Sequence, residues 1–363
     1  MKRNLCVGLI LAGAVLTPSI LHASDGPAER GVMMGEDARD HSLAAPTLTI
    51  DPSTTATTDA QNSQSASKDV DAPVLTLAAG GVGSRIHGFM DFRLATAYIT
   101  PRGLTVVDTG VQFQPLGGLV FDLYQGDGPI NDVSVIGGAW SDFTSSHRLS
   151  DGNADIWNEV DFFASVDVKF LKNFDFTATI SPWLFPTVGS TPENNPHTEY
   201  NADFKLGYND SDLLGAFALH PYADLFWNFA GQSSPVVAQA TLGQNDKTFY
   251  VELGIAPSYT FKAITDYPIT LTMPSYVSVG DSSFWGQDPG NGDRSNLGVA
   301  STGLKASMPL SFIPSDFGNW NAYVGVTYIY TCNPALSYVD EHVLGNADSH
   351  NLVYGYAGVG FSF

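Results

Sequence analysis

The chain has 363 residues and a formal net charge of −21, from 37 acidic against 16 basic side chains. So large an acidic excess leaves little positive surface with which to displace counterions, which excludes wrapping a nucleic acid and leaves cation attraction open. After the first segment no run of about 18 apolar residues exists, which excludes a helical membrane protein, and two cysteines are too few for a disulfide-stapled secreted module.

Residues 1–23 have the anatomy of a signal peptide. Lys2 and Arg3 form a positive start, Leu5 to Leu16 is apolar, Pro18 and Ser19 break the run, and Leu21-His22-Ala23 offers small-residue cleavage positions. Its removal takes two basic and no acidic residues, leaving the mature chain near −23 with Cys332 as its single cysteine and no intramolecular disulfide. Residues 24–84 are rich in Ser, Thr, Ala, Gln and Asp, most of all over Asp51–Ser67, and show no sustained period. Such a segment buries too little to repay ordering, so a flexible periplasmic arm is expected. The alternative is a small plug or protein-binding segment, for which only Val74–Ala79 is apolar enough to dock.

Residues 85–363 are expected to form an all-β fold, because from about residue 87 the hydropathy period is two. Over Trp157–Phe170, Val160, Phe162, Ala164, Val166, Val168 and Phe170 face one way, while Asp161, Ser165, Asp167 and Lys169 face the other; only Phe163 breaks the polar face. The same alternation runs through Phe174–Leu184, Asn201–Tyr208, Val251–Tyr259 and Trp320–Tyr328. Within these segments the apolar register carries no charge, as a lipid-facing surface requires, and the polar register mixes Gly with Asp and Lys.

The expected strands are 88–100, 108–124, 131–143, 157–170, 173–186, 198–209, 217–229, 248–261, 268–280, 297–312, 319–331 and 351–363. Gaps after the second, fourth, sixth, eighth and tenth strands are two to seven residues; those after the third, fifth, seventh, ninth and eleventh are 11 to 19; the first is also short, at seven. Short periplasmic turns opposite long extracellular loops are the asymmetry of a closed antiparallel transmembrane β-barrel in the bacterial outer membrane. Twelve strands fit best. Fourteen is the alternative, since 108–124 could split around Pro115, Gly117 and Gly118. An even count puts both barrel ends on the periplasmic side.

In the last strand Val353, Gly355, Ala357, Val359, Phe361 and Phe363 share a face. A terminal Phe on that register resembles the C-terminal signal of outer-membrane barrels, so outer-membrane lipid and the barrel-assembly machinery are the expected partners. The stretches Tyr98-Ile-Thr-Pro-Arg102-Gly103, Gly110-Val-Gln-Phe-Gln-Pro115, Trp157-Asn-Glu-Val-Asp161 and Glu252-Leu-Gly-Ile-Ala-Pro257-Ser-Tyr259 are similar to the TorF-like porins, an uncharacterised family of bacterial outer-membrane proteins. Tyr98 stands one residue farther from Arg102-Gly103 than in the usual aromatic-Arg-Gly arrangement. The resemblance touches roughly residues 88–363. It implies passive uptake and brings no catalytic residues.

Register parity points Asp91, Arg93, Asp122, Asp161, Asp167, Lys169, Asp175, Asp203, Lys205, Asp224, Glu252 and Lys305 inward, eight acids against four bases. A water-filled lumen so lined favours cations and neutral solutes over anions. The functional expectation is therefore a narrow, porin-like passive channel with no cofactor. Two other classes stay open: a packed structural or ligand-binding (adhesion or receptor) barrel, and a lipid-modifying enzyme. The enzyme would need a nucleophile and a base within hydrogen-bond reach. His220 is the one histidine expected well inside a strand, beside Ala218 and Tyr222, and no outward Ser/His pair stands at cross-strand spacing. Asp288-Pro-Gly-Asn-Gly-Asp293 has oxygen ligands spaced as for Ca²⁺ but lacks the EF-hand pattern and equally suits a turn. Asp340-Glu341-His342 is similarly ambiguous.

Overall fold

The computed structural model describes residues 85–146, 156–185, 197–230, 248–264, 267–343 and 350–363. The signal peptide expected over 1–23 and the arm expected over 24–84 lie outside the described residues.

Sixteen strands follow in chain order: β1 (Ile86–Ala95), β2 (Tyr98–Ile99), β3 (Thr105–Val107), β4 (Gln112–Gln125), β5 (Ile130–Thr144), β6 (Trp157–Phe170), β7 (Phe174–Phe185), β8 (His197–Tyr208), β9 (Tyr222–Ala230), β10 (Thr248–Ile255), β11 (Ser258–Ile264), β12 (Tyr267–Thr272), β13 (Ser275–Gly280), β14 (Leu297–Pro309), β15 (Asn319–Thr331) and β16 (Asn351–Ser362). All but β2 and β3 belong to one antiparallel sheet. β1 pairs with β16 from Phe89 opposite Ser362 to Ala95 opposite Tyr356, which closes the cylinder. Gly88 and Phe363 finish the seam with reciprocal backbone bonds of 2.8 and 2.9 Å.

The wall has twelve staves. Two of them are interrupted: β10 and β11 are one stave broken at Ala256-Pro257, and β12 and β13 one stave broken at Met273-Pro274. A proline has no N–H for the ladder. Residues 108–124 do not supply an extra strand, for β4 runs unbroken through Pro115, Gly117 and Gly118, with Pro115 opposite Phe92 of β1.

Two connections differ from expectation. β1 stops at Ala95 and β4 begins at Gln112, so residues 96–111 leave the wall, carrying β2 and β3 as a small hairpin. The first connection is therefore long, like the other extracellular ones. Alternation fails there because Ala97, Tyr98, Ile99 and Thr100 are buried in succession. The seventh stave starts at Tyr222 rather than 217, after a periplasmic connection with a short helix, Ser211–Leu214, and a 3-10 turn, Gly215–Phe217. Asp210 holds this turn, its carboxylate accepting the backbone N–H groups of Leu219 at 3.0 Å and His220 at 2.9 Å. Burial works to raise the Asp210 pKa, but these backbone donors outweigh it and hold the carboxyl below its usual range.

Outward residues are apolar, including Met90, Phe162, Val166, Ile180, Leu206, Leu253, Leu304 and Val324. Aromatic side chains border this band at both ends. On the extracellular rim Phe92, Phe113, Phe143 and Trp157 form a continuous row across β1, β4, β5 and β6, with neighbouring centroids 6.3, 6.1 and 5.7 Å apart. On the periplasmic rim Phe170, Phe174 and Tyr208 stand in one group, and Trp320 stacks on Phe361 at 4.3 Å in another. A closed cylinder satisfies its own backbone, and an apolar belt between aromatic girdles matches hydrocarbon between two interfaces. The molecule is an outer-membrane β-barrel.

Candidate constriction of the barrel

The segment 96–111 folds into the extracellular half of the cylinder and is anchored on several walls. Thr100 N donates to the Leu104 carbonyl at 2.9 Å and Gly103 N to the Thr100 carbonyl at 2.8 Å, giving a tight turn with Pro101-Arg102 at its tip. Gly103 has φ +84, and a Cβ there would run into Val299 of β14, so the turn accepts only glycine without strain. Tyr276 of β13 donates its hydroxyl to the Pro101 carbonyl at 2.8 Å. Tyr98 packs edge-on against Trp140 and donates to Glu159 Oε2 on β6 at 2.9 Å. Thr105 N reaches Asp340 Oδ1 at 3.4 Å.

Two further extracellular segments turn inward around this hairpin. The helix Ser282–Trp285 is capped by Asp281, which accepts from Ser283 N, and carries Phe284 and Trp285 onto Tyr250 at 4.8 and 5.6 Å. Hydrogen bonding to Ser283 keeps the Asp281 carboxyl below its usual pKa. The helix Pro334–Tyr338 has Asn333 as its cap, and the Asn333 amide also donates to the Leu297 carbonyl at 3.0 Å.

Arg102, at the tip, is 3% exposed. Its guanidinium lies 5.3 Å from the rings of both Trp183 (β7) and Phe226 (β9). Asp161 and Asp203 are among the carboxylates that feel its charge. The wall on this side is acidic: Asp142, Glu159, Asp161 and Glu199 are all fully buried. Asp142 accepts from Gln114 at 3.0 Å and Asn158 at 2.6 Å.

Below the constriction the inward candidates fall into groups. Asp91 accepts the Tyr323 hydroxyl at 2.7 Å while Lys305 sits 4.7 Å from that same ring, and Arg93 lies over Tyr356 at 4.1 Å. Glu252 accepts the Tyr222 hydroxyl at 2.6 Å while Lys205 sits 4.7 Å from its ring, with Asp224 beside Lys205 in register. Asp167 accepts from Thr177 at 2.7 Å, and Lys169 stands opposite both Asp132 and Asp175. Asp122 is apart from these, paired with His87 at 2.9 Å. Arg93, Lys169, Asp203, Lys205 and Glu252 are half-buried, whereas Asp91, Asp161, Asp167, Asp175, Asp224 and Lys305 are buried. The interior is not polar throughout: Phe89, Leu116, Val120 and Ile136 pack together between β1, β4 and β5.

Residue parity already contained Asp132, Asp142, Glu159 and Glu199, which share faces with Ser134, Asp161 and Asn201, yet they were not among the expected inward set. Arg102 had no such signal, being assigned to a short gap between strands.

His220 is not on a stave. It lies in the periplasmic turn with φ 49, its Nδ1 3.8 Å from Asp210 Oδ1. A Ser/His contact does occur outside the wall, Ser337 Oγ to His350 Nδ1 at 2.9 Å. That nitrogen also faces the Thr331 carbonyl at 3.1 Å, and Ser337 donates to the Asn333 carbonyl at 3.2 Å, so both groups serve the loop backbone. In the turn 288–293, Asp288 Oδ1 accepts from Gly290 N and Asn291 Oδ1 from Asp293 N, both at 2.8 Å. Asp340, Glu341 and His342 diverge, the first buried and the others exposed. No cluster of metal-ligating side chains occurs among the described residues.

No protein-family model matches the chain, and no curated protein does, so the similarity to TorF-like porins rests on the quoted stretches alone. Several solved structures are similar. An outer membrane channel from Pseudomonas putida F1 shares 12% identity over 77% of this chain and 95% of its own, with a TM-score of 0.39. Outer membrane phospholipase A from Escherichia coli shares 10% over 76% and 92%, TM-score 0.35. The outer membrane channel DcaP of Acinetobacter baumannii shares 10% over 77% and 96%, TM-score 0.32. At such identities and TM-scores none of them says what this chain does.

Proposed function

We propose that this barrel is a narrow, porin-like passive channel for small cationic or neutral solutes, with the inward hairpin of residues 96–111 as its constriction. The observation that carries the reading is the seat of Arg102: one guanidinium held across the lumen against a wall bearing Asp142, Glu159, Asp161, Glu199 and Asp203. Those residues add to an interior already richer in acids than bases, and a fixed negative lining of this kind raises the local concentration of cations. The half-buried Arg93, Lys169, Asp203, Lys205 and Glu252 supply a charged path below the hairpin. Contact with outer-membrane lipid and with the assembly machinery, through the strand ending at Phe363, belongs to the same proposal. No step of chemistry is assigned to the protein.

Planar-bilayer recording of the purified full chain in a KCl gradient tests it. The expected result is a small conductance with a reversal potential on the potassium side. A folded barrel that is silent, or one selective for chloride, overturns it.

A further inference from the structure

The seat of Arg102 is built like a binding site whose ligand happens to be tethered. Trp183 and Phe226 each present a face to the guanidinium at 5.3 Å, and Tyr250 joins the same aromatic cluster, 5.2 Å from Phe226. Trp183 is fixed by its indole N–H, which donates to Ser181 Oγ at 2.9 Å. Asp161 is fully buried, it feels the charge of Arg102, and its side-chain hydrogen-bond partner is the neighbouring Glu159 carboxyl. Carboxylates crowded into a buried wall are costly unless a cation with donors can meet them. Aromatic faces backed by carboxylates suit a soft, planar organic cation. A metal ion fits poorly, because no cluster of side chains converges as ligands among the described residues.

We propose that this aromatic–carboxylate cage is a recognition site for solutes carrying a guanidinium group, and that Arg102 of the hairpin is its resident stand-in, displaced as a solute passes. The solute's guanidinium would take the place between Trp183 and Phe226 and offer its N–H groups to Asp161 and Asp203. The inference deepens the channel reading and rests on it for the word solute; the cage itself can be tested without any current.

The test uses the full-length barrel and its Arg102→Ala variant, with folding checked by heat-modifiable gel mobility. The probes are methylguanidinium and, as the matched non-planar cation, methylammonium. In bilayers, methylguanidinium should block the potassium current of Arg102→Ala at a concentration at least tenfold lower than methylammonium does, and at least tenfold lower than it blocks the unaltered protein. Equal block by the two probes, or block unchanged by the substitution, overturns the proposal. Titration calorimetry in detergent keeps the two readings apart. If Arg102→Ala is silent in bilayers but binds methylguanidinium, and Trp183→Leu added to it abolishes that binding, the cage stands and the channel reading falls. Absence of binding by the folded variant removes the cage whatever the current shows. Should Arg102→Ala fail to fold, Arg102→Gln keeps the stem and removes the charge, and the same outcomes apply.

Discussion

Tyr323 reaches across the neighbouring strand to Asp91, its hydroxyl 2.7 Å from Oδ2, although β16 runs between their two strands. The ring can do so because it lies over Gly358, where any Cβ would occupy the position of the phenol. The same device recurs where Tyr222 lies over Gly254 to meet Glu252. Gly358→Val should therefore cost more than Tyr323→Phe: the first displaces the ring and leaves Asp91 without its donor, about 2–4 kcal/mol, while the second removes one charge-assisted hydrogen bond, about 1.5–3 kcal/mol. Urea unfolding in lipid vesicles measures both, and a Tyr323→Phe penalty equal to or above that of Gly358→Val would mean the glycine is not what seats the ring.

At the hairpin, Gly103→Val combines a left-handed backbone with a clash against Val299. The strain, about 1–3 kcal/mol, falls on docking of the loop and not on the wall. Trypsin should then cut after Arg102, which is buried and protected in the unaltered protein, while the unfolding midpoint of the barrel stays within error. Continued resistance at Arg102 would show that the turn tolerates a side chain.

Facing is tested by two neighbours on β6. Val166 is exposed on the outer surface, whereas Ser165 is buried inside and bonded to Thr179 Oγ1 at 2.8 Å. Lysine at the former faces hydrocarbon at about 2–4 kcal/mol near the midplane. Val166→Lys should lower folding yield into vesicles well below that of Ser165→Lys; equal yields would contradict the register.

Asp210 gives a pH dependence with a definite sign. Its carboxyl pKa is lowered in the folded chain, so its contribution is present above the ordinary carboxyl range and is lost as pH falls through the lowered value. Asp210→Asn should be less stable by about 1–2 kcal/mol at neutral pH, with the gap to the unaltered protein closing in acid. Urea midpoints at a series of pH values check this, and a gap that widens toward acid would reverse the assignment.

Period two made the wall legible because lipid on one side and a filled interior on the other impose opposite demands on successive residues. The same rule blinds the eye where a segment leaves the wall. Tyr98 and Ile99 extend the alternation of β1 on paper, but both are buried inside the cylinder, and nothing local marks Ala95 as the end of the strand. His220 was misplaced for a related reason: Pro221 and Tyr222 continue a plausible strand backward, while the decisive contact, Asp210 with the backbone of Leu219 and His220, spans a turn. The cage around Arg102 draws on β6, β7, β8, β9 and a loop. Such an assembly is set by closure of the whole cylinder, which no single segment encodes.

The two proline breaks carry a consequence for how the molecule sits. The turn leading into β9 accompanies its neighbour only as far as Leu219, whose carbonyl receives Ala256 N at 2.8 Å; beyond Pro257, β11 pairs with β12 alone among the strands described. Among the described residues no strand lies along the outer margin of β11, and hydrocarbon there would leave its backbone groups unsatisfied. Where water meets that margin, Pro257 and Pro274 mark the level below which this flank stands clear of the bilayer core.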